Sequence, residues 1–343
     1  CVKVLISAIH MKTTNKTKRL YAILIGVTLF ALIAFMSAWL VRYYPQVIGR
    51  THLPSVQKAI RNILSERSGQ MVAMLVSAIL IAFSSLAFQT ITGNRILTPA
   101  ALGFDAIYAV TQTLMVTLLG FVSVVLTNVY LNFVISTSVM IGIVFLMYSL
   151  VLRKSKNNII LLLLIGIIIS SLAGSVSNVI QAAMSDDAFF SVQALTNVTI
   201  TNINRDLVYV LAPIMILISV FLFLPHKTYD VMALGEEQAT NLGVNYQKQS
   251  RITLVLIALS VAVATALVGP LSFLGLLAVN LARELSKRYE HKHLFLFSAF
   301  LAIIFIFLGQ VLVELTGYQT TVTTIISLVG GGYMIYLLLR KDR

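Results

Sequence analysis

The sequence predicts an all-α polytopic membrane protein with about ten transmembrane helices. Three observations carry this reading. Hydrophobic residues make up 58% of the 343-residue chain and charged residues only 11%, against about 45–50% and about 25% in soluble domains. The mean hydropathy is +0.93. The apolar residues also fall in separate long runs, joined by short polar segments that hold most of the Lys and Arg. One span needs about 20 residues, so ten would use roughly 200 and leave no room for a sizeable soluble domain. A disordered chain, a disulfide scaffold and a soluble enzyme are disfavoured together.

Residues 1–19 read as a cytoplasmic tail. Met11-Lys12-Thr13-Thr14-Asn15-Lys16 has the polar, basic character of a chain start, so residues 1–10 are expected to lie upstream of it. Cys1 is the one cysteine, which leaves no intrachain disulfide. A lipid anchor on it would add little to a multi-span bundle. The expected spans are 20–41, 70–92, 100–119, 131–152, 158–182, 207–224, 252–268, 271–283, 294–315 and 320–339. The first is too long for a signal-peptide core and lacks a small-residue cleavage site after it. The third is weakened by Asp105, Thr111 and Gln112. The eighth is short and follows Gly269-Pro270, a helix-breaking pair. No repeat or linker divides 20–343, which is expected to form one transmembrane domain.

Charge sets the orientation. Lys12, Lys16, Lys18 and Arg19 precede the first span, and Arg340, Lys341 and Arg343 follow the last. Both termini are therefore expected to be cytoplasmic, and the span number even. The basic residues left outside are Arg42, Arg50, Lys58, Arg61 and Arg67 in a loop at 42–69, and Arg205. The net charge of +13 follows from this asymmetry, and no basic stripe with interleaved aromatics points to nucleic acid.

Catalytic and metal signatures are missing. No phosphate-binding Gly-rich loop ending in Gly-Lys-Ser/Thr occurs, and Gly330-Gly331-Gly332 reads as a close-packing or kink site. His10, His52, His226, His291 and His293 lie in or near loops. His291-Lys292-His293 lacks helical zinc-ligand spacing and reads as solvated interfacial charge. Ionisable residues within spans are few: Asp105 and Glu314. Amides are commoner (Gln89, Gln112, Asn128, Asn178, Gln181, Asn280, Gln310) and read as interhelical glue or cavity lining. A proton- or sodium-coupled carrier would bury more charge, so the energy source is expected outside this chain.

One inner segment is informative by itself. In Asp230-Val231-Met232-Ala233-Leu234-Gly235-Glu236-Glu237-Gln238-Ala239-Thr240-Asn241-Leu242-Gly243-Val244, the residues Ala233, Leu234, Ala239 and Leu242 form the apolar side of two short helices. Gly235 would hinge them and Gly243 end them. The segment is either a docking knob for a soluble partner or an ordinary surface hairpin.

At this point the chain resembles the permease subunits of iron-siderophore, haem and cobalamin ABC importers, the FecCD or BtuC-like family. Three motifs carry the match. Ala233-Leu234-Gly235-Glu236-Glu237-x-Ala239-x-x-Leu242-Gly243-Val244 is similar to the family's ATPase-coupling loop. Gly269-Pro270, Phe273 and Gly275, with Arg283 downstream, resemble its Gly-Pro-x-x-Phe-x-Gly-Leu segment. Phe88-Gln89-Thr90-Ile91-Thr92-Gly93-Asn94-Arg95, Thr98-Pro99 and Leu102-Gly103 resemble the stretch after its second span. Asn280 replaces the usual His before Ala-Arg, and Arg95 replaces the usual Pro after Asn. These variants resemble the branch that handles catecholate or related siderophores.

The resemblance implies a BtuC-like fold and a role as permease subunit of an ATP-driven importer of ferric siderophore in the bacterial cytoplasmic membrane. It implies no catalytic residue and no directly bound cofactor, with ATP on a separate subunit. The implied partners are a second permease subunit (a copy or a paralogue), two ABC ATPase subunits, an extracytoplasmic siderophore-binding protein and membrane lipid. Arg67 stands where the family has the first Arg of an Arg-Leu-Pro-Arg motif that meets the binding protein, and Gln70 replaces the second. Arg61 and Lys58 are expected to compensate, with anionic headgroups as the alternative contact of this basic loop. The translocation path is expected near Ser175, Ser177, Asn178 and Asn202. Haem or cobalamin import by the same fold, an ion-coupled secondary carrier and a membrane-embedded enzyme are the alternatives.

Overall fold

The structure, a computed structural model, describes residues 2–47, 54–154, 159–196, 200 and 203–341. Without water at membrane depth, each backbone N–H and C=O must find its partner within the chain, and a helix does this locally. The described residues accordingly form fourteen α-helices and no strand. In chain order they are α1 (Val2–Val47), α2 (Pro54–Thr92), α3 (Phe104–Leu119), α4 (Val124–Thr127), α5 (Val129–Lys154), α6 (Ile159–Ala182) and α7 (Asp186–Thr196). These are followed by α8 (Arg205–Phe223), α9 (His226–Met232), α10 (Glu236–Asn241), α11 (Tyr246–Val268), α12 (Ser272–Ser286), α13 (His291–Leu315) and α14 (Val322–Lys341).

Every expected span coincides with a helix, and by length and composition 7 helices among the described residues are long and apolar enough to cross a bilayer. They are α1, α2, α5, α6, α8, α11 and α13. The apolar stretches Phe104–Leu119 of α3 and Val322–Tyr336 of α14 are shorter, and α12 has 15 residues. Two of these short helices follow chain breaks. A 3-10 turn at Pro99–Leu102 precedes α3, and Gly269, with φ of 93°, ends α11 three residues before α12.

The basic segment 42–69 is not the loop expected. The helix α1 runs on to Val47 and α2 starts at Pro54. Proline suits a first helical turn because its missing N–H would have no partner there. The residues that follow include Gln57, Lys58, Ala59, Arg61, Leu64 and Glu66, all good helix formers. The 39 residues of α2 span about 58 Å at about 1.5 Å per residue, well beyond a hydrocarbon core of about 30 Å.

Packing is centred on α2, which touches α1, α8, α9, α11, α12 and α13. Its apolar window is 78% buried, whereas that of α6 is 17% buried. Lipid is as apolar as leucine, so helices associate through close fit and polar contacts rather than by escaping solvent. Small residues supply the fit. A Cβ on Gly275 of α12 would collide with Ser85 Oγ of α2 and stand 2.7 Å from Ser85 Cβ. One on Gly166 of α6 would come within 2.8 Å of the Ala101 carbonyl oxygen. Gly330 admits the Phe273 side chain, in keeping with a close-packing role.

Gly275→Val should therefore force α12 off α2. The overpacking cost is about 1–3 kcal/mol, seen as a lower melting temperature of the detergent-solubilised protein, whereas Gly331→Ala, with open space at its Cβ, should leave it nearly unchanged.

Candidate functional site

Two polar clusters sit at opposite ends of α2, named here the hinge end and the rim end. At the hinge end, α9 and α10 form a helical pair joined through Gly235. The Gly235 φ of 101° is accessible to glycine at little cost, and its N–H donates to the Met232 carbonyl at 3.0 Å. Gly243 (φ 88°) closes the pair, and the Val244 N–H donates to the Ala239 carbonyl at 3.0 Å. Two short helices hinged at Gly235 and stopped at Gly243 are thus present, although the first begins at His226 rather than within the motif.

The two helices are held differently. On α10, Ala239 is buried, while Glu236 and Glu237 are exposed. Leu234 just before it is 57% exposed and Leu242 just after it 64%. Exposed leucines beside paired carboxylates make a compact knob with an apolar grip and a charged edge. In contrast, α9 is bolted down. Tyr229 is fully buried and its hydroxyl shares a 3.0 Å hydrogen bond with Thr253 Oγ1 of α11. Burial raises its phenol to about 12, so it stays neutral. Asp230 Oδ1 accepts from the backbone N–H of His291 at 2.7 Å and lies 2.8 Å from its Nδ1. The far ring nitrogen, Nε2, lies 2.8 Å from Thr90 Oγ1 at the end of α2.

This corrects the reading of His291 as solvated charge. His291 is 1% exposed, held by a carboxylate on one side and a hydroxyl on the other. His293 is half-buried with its Nδ1 2.8 Å from the Tyr21 hydroxyl. Sequence spacing gave no sign of either contact, because Asp230 and Thr90 are 61 and 201 residues away from His291. The same end is closed by Tyr246, whose hydroxyl donates to the Ile91 carbonyl at 3.2 Å, and by Asn280, which donates to the Arg95 carbonyl at 3.0 Å. Arg283, from the Gly-Pro motif, is half-buried here with no hydrogen bond at its Nε.

At the rim end, Arg67 points inward. It is 6% exposed, and its Nη2 meets Glu314 Oε2 of α13 at 2.6 Å. Its Nη1 donates to the Phe35 carbonyl of α1 at 2.6 Å, and the guanidinium lies 4.7 Å from the Phe35 ring centre. Its charge is thus neutralised within the chain, which departs from the outward-facing role expected of it. Arg205 is exposed but engaged locally: it donates to Ser65 Oγ and lies 5.4 Å from the Tyr209 ring centre. Lys58 and Arg61, the other expected docking residues, are exposed on α2.

The expected path residues divide. Ser175 and Asn178 are exposed on α6. Ser177 is buried and lies 2.8 Å from Thr113 Oγ1 of α3, with the Gln181 amide donating to both hydroxyls at 2.7 and 3.0 Å. Ser177 is therefore glue between α3 and α6, not lining, because a helix places residues 175 and 178 on a different face from 177. Asn202 lies outside the described residues. A second amide cluster does the same work: Gln112 donates to Asn132 and Ser136 of α5, each at 2.9 Å. At the Gly-Pro break, Ser272 donates to the Asp105 carboxylate, tying the start of α12 to the start of α3.

The pattern of the FecCD transport family matches residues 23–340. The chain is 41% identical over 281 residues to the petrobactin import system permease protein YclO of Bacillus subtilis, covering 82% of this chain and 89% of that one. It is 29% identical over 336 residues to the petrobactin import system permease protein FatC of Bacillus anthracis, covering 98% and 93%. Its fold is similar to that of a solved transporter described as of the metal-chelate ABC type, in an inward-facing conformation. The TM-score is 0.73 at 21% identity, over 93% of this chain and 98% of that one.

Cutting the rim pair one side at a time should be costly. Arg67→Met alone strands the Glu314 carboxylate, and Glu314→Leu alone strands the guanidinium. Each should cost about 3–5 kcal/mol, lowering melting temperature and membrane yield. The double substitution should recover most of the loss, because it leaves no unpaired charge.

Proposed function

The chain belongs to the FecCD transport family, and from that premise we propose that it is the permease subunit of an ATP-driven importer that carries a ferric siderophore inward across the bacterial cytoplasmic membrane. The observation that carries this reading is the knob at the hinge end. An exposed, Gly-hinged helix flanked by leucines and mounted on a buried support is what a membrane subunit needs to be gripped and moved by a soluble motor. We assign Ala233, Leu234, Gly235, Glu236, Glu237, Ala239, Leu242 and Gly243 to that docking site. Leu234 and Leu242 supply buried area and the carboxylates supply register.

The charge asymmetry supports a cytoplasmic hinge end and cytoplasmic termini. The rim end then faces outward, where Lys58 and Arg61 offer unneutralised positive charge to acidic residues of a delivery protein. Such rim charges mainly set the encounter rate and its salt dependence. The thinly buried α6 is the face for the second permease subunit, and Ser175 and Asn178 on it line the passage between the two. Small hydroxyl and amide groups suit a passage that must release a large polar chelate instead of retaining it. ATP binding and hydrolysis on the partner subunits would supply the differential contacts that shift the bundle between outward- and inward-open states. Petrobactin is the first ferric siderophore to test, since the similar Bacillus permeases are named for it.

Deletion of the gene should abolish growth on ferric petrobactin as sole iron source while free-iron uptake persists; undiminished growth on every siderophore tested would remove the assignment. Gly235→Pro fixes φ near −65° where the hinge needs a positive angle. It also removes the N–H bonded to Met232. That variant should insert normally yet fail to copurify with the ATPase. Charge reversal at Lys58 and Arg61 together should slow capture of the binding protein by about tenfold at low salt and less at high salt.

A further inference from the structure

We propose that Asp230, His291 and Thr90 form a polar strut that carries movement of the ATPase-docking segment into α2 and α13. It rests on the docking assignment made above and adds the route by which force leaves that segment. The geometry defines the route. Asp230 sits on α9, next to the Gly235 hinge, and grips the first residue of α13 twice with one oxygen, through the His291 backbone N–H at 2.7 Å and the ring Nδ1 at 2.8 Å. The ring then reaches across to α2, where Nε2 meets Thr90 Oγ1 at 2.8 Å. One imidazole thus joins three elements at a position 1% exposed to solvent.

A planar ring between two partners resists bending and transmits push as well as pull. The aromatic contacts fix its tilt: the Tyr229 ring centre is 5.8 Å away and that of Phe295 6.3 Å. The ring donates from Nδ1 to the carboxylate and can accept the Thr90 hydroxyl at Nε2. The Thr90 hydroxyl also lies 2.9 Å from the Leu86 carbonyl, an alternative acceptor. Thr90 therefore has two positions for its proton, and the link to α2 can be made or released without leaving the hydroxyl unpaired. The helix it acts on, α2, touches six of the other helices, so a small displacement at Thr90 is distributed through the bundle.

These are positioning residues, since each acts through the helices it joins. Two substitutions cut the strut, the first with packing kept and the second at the expense of the ring's contacts with Tyr229 and Phe295. Thr90→Val is isosteric and removes the hydroxyl. His291→Asn retains an amide near the Nδ1 position for Asp230 but cannot reach Thr90. Each is measured in the full complex with its ATPases and binding protein, reconstituted in proteoliposomes, by complex yield, basal ATP hydrolysis, and siderophore transported per ATP. We expect yield and basal hydrolysis within twofold of the unaltered complex and transport per ATP lower by about tenfold, the scale of an ordinary coupling energy. The combined variant should be no worse than either single one, because both remove the same link.

Transport per ATP within twofold in both single variants overturns the strut. So does a fall in transport that merely follows a fall in complex yield. An unaltered chain that does not hold the ATPases overturns the docking assignment, and the strut with it.

Discussion

A helix in hydrocarbon gains nothing by hiding leucines from lipid, so its association with other helices must come from close fit and from polar groups that have nowhere else to go. Everything in this bundle follows from how α2 meets that constraint. Its middle is fitted by contact with small residues, with Ser85 against Gly275 as the tightest point. Its two ends are fixed by polar groups. Arg67 ties the rim end to α1 and α13, and Thr90 ties the hinge end to α13 and α9. A helix longer than the bilayer is thick is clamped near its hinge end at Thr90 and again at Arg67, thirteen residues in from its start, with close packing between. That leaves it stiff, and stiffness is what a lever requires.

Against that rigid spine, α6 and α10 present two contrasting kinds of exposed face. The exposure of α6 is apolar, with Leu172 and Val179 among its outward residues, and suits lipid or a second subunit. The exposure of α10 is mixed, with leucines beside glutamates, and suits an aqueous protein surface. The contrast between the two faces separates a partner met inside the membrane from one met outside it.

Much of this was legible in the sequence. Span positions were, because length and apolarity are local properties. The hinge was, because Gly235 and Gly243 punctuate a short amphipathic segment and both adopt positive φ. The amides were read as glue, and Gln112 and Gln181 are that. What escaped was pairing across distance. Arg67 reads from its neighbours as part of an exposed basic loop, and only Glu314 of α13 shows it to be buried. His291 reads as a surface histidine until Asp230 and Thr90 close around it. Ser177 and Asn178 are adjacent in sequence and opposite in environment, which a segment-level assignment cannot separate. The helical extension of α2 was hidden because its polar residues resemble a loop in hydropathy while favouring helix in conformation.

The Arg67–Glu314 pair also has a history in time. The two residues are 247 positions apart, and a ribosome adding about 5–20 residues per second needs roughly 10–50 s to cover that distance. Throughout that interval the guanidinium lacks its Glu314 partner. The nascent amino-terminal helices must therefore wait with Arg67 held at the watery edge of the bilayer, and the bundle can tighten only when the thirteenth helix arrives. Biogenesis of this subunit is in that sense closed from its far end, and a chain truncated before Glu314 would keep α2 and lose the group that neutralises it.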